Sequence, residues 1–510
     1  MERRASRRAR PTAGVAGRAA ARRGARPAPF AVRDGRSAHR ARPATRRPRQ
    51  ERPRDPCTRR APAGASVSAT LDPATSARRT PRRAAPGAGA RGEAQLVSLF
   101  SGAGGLDVGL ERAGWSTTVA TDVDADCVRT LCAAQRAALP VRGRTSHRHL
   151  QGARLLLQDV RTLSAADLRP ERARADWRPD LLAGGPPCQP WSSAGHQRGL
   201  EDPRGQLLAH MLRLVGELRP RFVLFENVRG LVTALGPTGR PGEVLESIQA
   251  DLAALGYASR VATLNAADYG AAQRRVRLLL LASAEYELPE FPAPTHARLP
   301  SGPQGLPFGP EVKPWVTLGE TLDALPAPEE AEVVRPAGPR AAALEALEPG
   351  QGLRTGGRVE ANRPGGHWGY RQDSFLADPS LPSRTIRAAS TPDWVRESDG
   401  RLRRLTVREC AVLQGFPADW PLQGGAASRF RQVGNAVQVD VAQALGEVLL
   451  QSLRRGPAAV PPVSPPWPAQ LLRRTRYTAM EHRVNGAHRV RVRAAGQAGA
   501  SGATSPAVEA

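Results

Sequence analysis

The sequence predicts an α/β protein built on a doubly wound, mostly parallel sheet, with a smaller loop-rich unit and disordered termini. Three observations carry this. Short apolar runs of strand length alternate with helical patterns from Gln95 to about residue 284. A glycine-rich turn directly follows the first of these runs. The alternation then fails between residues 285 and 400, where proline and glycine break the chain into short turns. Strands that alternate with helices pair in parallel, because each crossover helix carries the chain back to the edge it started from.

The elements follow in order. Residues 1–93 are rich in Arg, Ala, Pro and Gly and hold too little apolar surface to form a core, so this extension is expected to be disordered. Residues 1–91 carry 25 Arg and 5 acidic side chains, a net of +20, which leaves about +7 of the chain's +27 to the rest. The extension reads either as a cationic arm for phosphate backbones or as a solvated segment without function. Lys313 is the only lysine, so arginine is a compositional habit here and a single Arg is weak evidence for a nucleic-acid contact. Strands are expected at 96–100, 117–121, 155–157, 181–183, 222–225 and 276–282, with helices after the glycine turn, at 206–218 and at 244–255. A catalytic domain over 94–284 is followed by the loop-rich unit over 285–400. Helical patterns at 406–414 and 437–453 return the chain to the first domain over 401–454. Residues 455–510 are expected to form a disordered basic tail.

Five cysteines, Cys57, Cys127, Cys132, Cys188 and Cys410, are too few and too scattered for a disulfide framework and point to a reducing cytoplasm. Their spacing supplies no zinc set, so no metal is expected. No stretch reaches the ~18 apolar residues of a membrane span, and the N-terminus has no apolar signal core.

Three constellations carry chemistry. In Phe100-Ser101-Gly102-Ala103-Gly104-Gly105, between a strand and a helix, the glycines let the backbone turn tightly beside a ligand, and the helix start offers free N–H groups. Asp107 stands where a dinucleotide fingerprint needs a third glycine, which disfavours NAD. Asp122 and Asp159 then close successive strands, the first at the distance where a doubly wound fold places the acid that holds ribose hydroxyls. The strongest local signal is Gly184-Gly185-Pro186-Pro187-Cys188-Gln189-Pro190-Trp191-Ser192, a rigid loop at a strand's carboxyl end. The next strand ends in Phe225-Glu226-Asn227-Val228, so a carboxyl group can face the crevice that holds Cys188. A thiol beside a carboxyl suits covalent attack with a neighbouring proton donor. No His triad is visible.

On these motifs the chain resembles the bacterial DNA cytosine-5 methyltransferase family, from about Leu96 to Leu450. The glycine turn matches its S-adenosylmethionine motif, Pro187-Cys188-Gln189 its catalytic loop, and Glu226-Asn227-Val228 its Glu-Asn-Val motif. Gln273, Arg275 and Arg277 match Gln-x-Arg-x-Arg. Arg408-Glu409-Cys410, Gln414-Gly415-Phe416-Pro417 and Gly434-Asn435-Ala436-Val437 follow in order. Two departures stand out: Asp122 replaces the family's usual Glu, and Ala436 a frequent Ser or Thr.

The resemblance implies a Rossmann-like class I S-adenosylmethionine-dependent methyltransferase with a target-recognition region over 285–400. It implies a cytosine flipped out of duplex DNA, with Cys188, Glu226 and Arg275 catalytic. Phe100, Gly102, Gly104, Gly105, Asp122, Asp159 and Asn435 would bind S-adenosylmethionine, and Gln189, Ser192, Arg277 and Thr385 the DNA. Arg358, Arg363, His367 and Arg371 are further candidates for bases or phosphates. It further implies a cytoplasmic, monomeric enzyme, the modification partner of a restriction endonuclease acting on the same site. A noncatalytic DNA-binding regulator and an RNA cytosine-5 methyltransferase are the alternatives.

Overall fold

The computed structural model describes residues 93–171, 173–174, 176–187, 206–236, 238–298, 312–353, 359–361, 374–389, 391–468 and 471. Cys188, Gln189, Ser192, Arg358, Arg363, His367 and Arg371, all singled out from sequence, lie outside them.

The first half of the chain runs β1 (Ala94–Leu99), α1 (Gly105–Ala113), β2 (Trp115–Asp122), α2 (Ala125–Ala137), a hairpin of β3 (Pro140–Val141) and β4 (Arg144–Arg148), and β5 (Arg154–Leu157). It continues with α3 (Ala165–Leu168), β6 (Leu181–Gly184), α4 (Gln206–Leu218), β7 (Phe222–Val228), α5 (Glu243–Ala254), β8 (Ala258–Asn265) and β9 (Val276–Ser283). Seven of these strands form one sheet in the order β5-β2-β1-β6-β7-β9-β8. Six run in one direction, β5, β2, β1, β6 and β7 pairing in parallel, and β9 is antiparallel to its neighbours β7 and β8. The mostly parallel sheet is thus as expected, and it is doubly wound: the chain leaves β1 towards β5, then crosses back to β6 and works outward the other way.

Alternate residues of β1 build two cores. Val97 and Leu99 join Leu208, Met211, Leu214 and Leu252 of α4 and α5. Ala94 and Leu96 join Leu106 and Leu110 of α1 and Leu445 and Leu449 of α10 (Val439–Arg455). The α1–α10 packing is close because glycines line it: a Cβ on Gly109 would stand 2.4 Å from the Val439 carbonyl oxygen. Trp115 is wholly buried in the same contact and donates from Nε1 to the Gly446 carbonyl at 2.9 Å. This docking returns the C-terminal helix to the first domain.

Between them lie β10 (His296–Ala297) paired with β11 (Lys313–Pro314), then α6 (Leu318–Asp323) and α7 (Ala341–Glu345). A small antiparallel sheet of β12 (Gln351–Leu353), β13 (Val359–Ala361) and β14 (Ser374–Phe375) follows, then the pair β15 (Trp394–Arg396) and β16 (Leu402–Arg404). Leu344, Leu347, Leu353, Leu376, Trp394 and Leu402 form a separate small core here. Helices α8 (Val407–Leu413) and α9 (Ala426–Asn435) precede α10.

Three features depart from expectation. Strand β8 carried no signal because it is an edge strand with a half-polar sequence, Ala-Ser-Arg-Val-Ala-Thr-Leu-Asn. Helix α9, Ala-Ala-Ser-Arg-Phe-Arg-Gln-Val-Gly-Asn, lacks a wide apolar stripe. The tail expected to be disordered from 455 is instead held against the body as far as Leu471. Ala458 N donates to the Glu285 carbonyl at 2.7 Å, and Ser464 Oγ accepts from the edge-strand amide of Ser259 at 2.9 Å. Trp467 donates to the Gln249 side chain, and Leu471 is buried in the α4–α5 core. The proline-rich stretch hides two large apolar side chains, enough to anchor it.

Asp107, in the first turn of α1, is wholly buried. Burial, with Glu111 one turn on, lifts its carboxyl to about 7. Between about pH 4 and 7 the folded chain therefore holds a proton that the unfolded chain has released, so stability falls as pH rises through this window. Asp107→Asn, which cannot ionise, is expected to melt higher than the wild type at pH 8, with the difference shrinking towards pH 5. Scanning fluorimetry across that range checks it.

Candidate active site

The strand order reverses between β1 and β6, and ligands of such sheets bind at the carboxyl ends of the strands beside that point. Both glycine-rich motifs lie there, one after each strand. After β1 the chain turns through Phe100 (φ 54°), Gly102 (φ 56°) and Gly104 (φ 89°), the left-handed region that favours glycine. Nothing lies within 4 Å of where a Cβ on Gly102 would stand, so the turn borders open space. Gly104 packs instead on Leu131 and Trp420, and a Cβ on Gly105 would meet the Val437 carbonyl at 2.3 Å. Gly104 and Gly105 thus serve packing, and Gly102 is the one that faces outward.

Asp122 does more than end its strand. Its Oδ2 accepts from Gly102 N and its Oδ1 from Asp124 N, both at 2.8 Å. It holds the glycine turn against β2. Burial raises its pKa although these amide bonds oppose the shift. A carboxylate has about four lone-pair sites, and the amides of Gly102, Asp124 and Val123 do not fill them all. Asp159 is paired with Arg161, whose Nε donates to both of its oxygens at 3.1 and 3.0 Å, and this hydrogen bonding holds its pKa low. Sequence reading passed over two apolar neighbours of these acids: Val123 is 66% exposed and Leu157 44%. Each follows or precedes a motif acid on the same sheet edge. Large apolar side chains left bare in a crevice are ligand surface. Asn435 ends α9 exposed, close in sequence to Val437, whose carbonyl meets Gly105.

After β6, the stem of the second loop is described as far as Pro187. Asn227 Nδ2 donates to the Pro186 carbonyl at 3.2 Å. A Cβ on Gly185 would stand 2.9 Å from Glu226 Oε2, so the stem passes close against the carboxyl. Glu226 is 9% exposed. Burial raises its pKa, opposed by Arg277 and then Arg275.

In Gln-x-Arg-x-Arg only Arg277 lies within β9; Gln273 and Arg275 precede the strand. In the ladder Glu226 pairs with Leu279, so Arg277 is its diagonal neighbour on the same face. Arg277 Nε lies 3.1 Å from Glu226 Oε1. Arg275 points elsewhere: it is 2% exposed and donates to the carbonyls of Ile386, Gly434 and Ala436, each at 2.9 Å. Gln273, wholly buried, donates to Gln414 Oε1 at 2.9 Å and accepts from Ile386 N at 2.9 Å. Gln414 Nε2 in turn donates to the Val433 carbonyl at 2.6 Å. Arg275, expected to be catalytic, meets backbone carbonyls, and Arg277, expected on DNA, meets the Glu226 carboxyl. Arg277 borders the carboxyl and Arg275 braces the backbone, because the segment before β9 runs beneath residues 383–386. Thr385, expected on DNA, donates from Oγ1 to the Arg274 carbonyl at 2.8 Å and belongs to the same brace.

The family described as C-5 cytosine-specific DNA methylase matches residues 94–301 and 352–451. The chain belongs to this family. It is a DNA cytosine-5 methyltransferase, and its family implies a methyl donor and a DNA substrate. Type II methyltransferase M.PspPI of Psychrobacter is 30% identical over 379 residues, 72% of this chain and 81% of that protein. M.AplI of Arthrospira platensis is 30% identical over 394 residues, 74% and 92% of the two chains. Among solved structures, a DNA modification methyltransferase from an Escherichia coli prophage is 22% identical with a TM-score of 0.49, covering 71% of this chain and 99% of its own. Among the described residues no helix is long and apolar enough to cross a membrane, and no group of three or more His, Cys, Asp or Glu could hold a metal ion.

The contributions of the two arginines are separable. Arg275→Ala takes a donor from three buried carbonyls, of which that of Ala436 keeps Gln414 Nε2 at 3.3 Å, and is expected to cost roughly 1–3 kcal/mol or more of stability. Arg277→Ala should leave the melting temperature nearly unchanged and lower methylation turnover. Denaturant unfolding beside initial rates reads both.

Proposed function

We propose that this methyltransferase acts on C5 of one cytosine within a specific duplex DNA sequence, with S-adenosylmethionine as donor and Cys188 as nucleophile. The observation that carries the reading is Glu226: a buried carboxyl of raised pKa, bordered by Arg277, at the stem of the loop that leads into Cys188. Burial shifts Glu226 towards its protonated form relative to an exposed carboxylate, the direction that favours proton donation to N3 of a base.

The residues then divide the work. The target base is flipped into the crevice between β1 and β6, since C5 and C6 cannot be reached within a stacked duplex. The Cys188 thiolate forms a bond to C6 while Glu226 donates a proton to N3. The electron pair displaced from the C5–C6 double bond makes C5 nucleophilic. After methylation the C5 proton passes to water, the freed electron pair re-forms that double bond and expels the thiolate, and N3 returns its proton to Glu226. Arg277 holds Glu226 in place and balances its charge after proton transfer.

The residues present fit an adenosyl group. The open face of Gly102 admits a ligand against the backbone, Asp122 keeps acceptor sites for ribose hydroxyls, and Val123 and Leu157 offer apolar surface for an adenine. S-adenosylmethionine supplies the methyl group when bound there. Asp159 would exchange its Arg161 pair for a contact to the base.

The region 285–400, with its own small core, is the unit proposed to read the DNA sequence, and residues 383–386 join it to the catalytic strand. Relatives named type II methyltransferases support the place of a modification enzyme beside a restriction endonuclease of the same specificity. We take the working form to be a cytoplasmic monomer.

Transfer of tritiated methyl groups tests this directly. Label is expected in duplex DNA, at one sequence on bisulfite reading, and not in RNA. Cys188→Ala should abolish transfer while retaining DNA binding. Label confined to RNA, or transfer that survives in Cys188→Ala, would refute the assignment.

A further inference from the structure

Away from the crevice, the C-terminal end of α1 borders a cavity of about 380 Å³. Arg112 of α1, Arg142 of the β3–β4 turn, His149, Val316, Phe416 and Asp440 of α10 line it. None of them belongs to the proposed reaction.

Two buried polar groups in its wall have unmet hydrogen-bonding capacity. The Arg112 side chain is 6% exposed; one terminal nitrogen donates to the Gly415 carbonyl at 2.9 Å and the other lies 3.6 Å from Asp440. Its Nε is buried with no acceptor. His149, whose side chain is wholly buried, sets Nδ1 at 2.7 Å from Glu111 Oε2, and the other oxygen of Glu111 accepts from Leu150 N at 3.0 Å. This locks the ring, and a nitrogen facing a carboxylate carries the hydrogen. Nε2 is buried without a partner.

The charge is unbalanced as well. Two guanidiniums face the cavity against the one carboxylate of Asp440, which Gln438 Nε2 also engages at 2.7 Å. Burial and the nearby Arg142 push Arg112 down, and Asp440 only partly restores it. A single water occupies ~30 Å³, so one bridging water would leave most of the space unfilled. The volume lies within the ~300–1,000 Å³ of small-molecule sites. Val316, Leu413 and Phe416 give it an apolar side.

We propose that this cavity binds a small hydroxylated anion of about the size of a sugar phosphate. Its acid group would lie against Arg112 and Arg142, with a hydroxyl hydrogen-bonded to Nε2 of His149. The walls also include Ala272, next to Gln273, and Leu413 and Gly415, on either side of Gln414. An occupant therefore touches the backbone that carries the buried amide pair.

Calorimetric titration of the full chain with ribose 5-phosphate, at fixed ionic strength, tests the site. One binding event per chain is expected, with ribose and inorganic phosphate each binding at least tenfold more weakly. Arg142→Glu, at an exposed position outside the catalytic machinery, should weaken binding at least tenfold and leave methylation without the probe unchanged. His149→Gln, if folded, should also weaken it. Three results would overturn the proposal: no binding, unchanged affinity in Arg142→Glu, or displacement of the probe by S-adenosylhomocysteine or by excess nonspecific duplex. The last would place the probe in the donor or DNA site.

Discussion

The structure depends on one buried polar knot. Gln273, Arg275 and Gln414 are each 2% exposed or less, and together they satisfy Ile386, Leu413, Val433, Gly434 and Ala436 of the backbone. Their partners stand 111, 141 and 159 residues away along the chain. Burying a guanidinium and two amides is costly unless their bonds are met, and each bond removed leaves a partner stranded. That asymmetry makes the knot a strong constraint on where three remote segments must lie.

Its consequence is felt two residues on. Once Gln273 and Arg275 are pinned, the extended backbone delivers Arg277 to the face that Glu226 occupies on the neighbouring strand. The carboxyl is then held by a cation on one side and by the glycine stem of the catalytic loop on the other. Burial keeps its pKa raised despite that cation. The same knot carries Ile386 and the segment leading from the 285–400 unit, so that unit and the Glu226–Arg277 pair share one support.

The sheet was legible because its parallel strands are buried on both faces and read as apolar runs. Strand β8 was not, since an edge strand need bury only one face. The position of Glu226 could be read from the strand end that carries it, and the resemblance agreed. The split between Arg275 and Arg277 could not, because both arginines satisfy the motif equally and only the segment folded over Arg275 distinguishes them. Asp122 was read as a ligand acid, and it also builds the turn it faces. No local pattern announces a bond from residue 122 back to residue 102. Val123 and Leu157 could have been found, as apolar residues flanking acids at strand ends where a buried role would need a covering helix. The strap to Leu471 was hidden by its proline content.

A double-mutant cycle between Gln273 and Gln414, each changed to Leu, tests the central claim most directly. Unfolding free energy and initial methylation rate are measured on the two single variants, the double variant and the wild type. The account predicts that each single change costs roughly 1–3 kcal/mol by stranding its partner. The double change should cost clearly less than their sum, and turnover should fall in all three variants. Additive losses of stability with an unchanged methylation rate would contradict it.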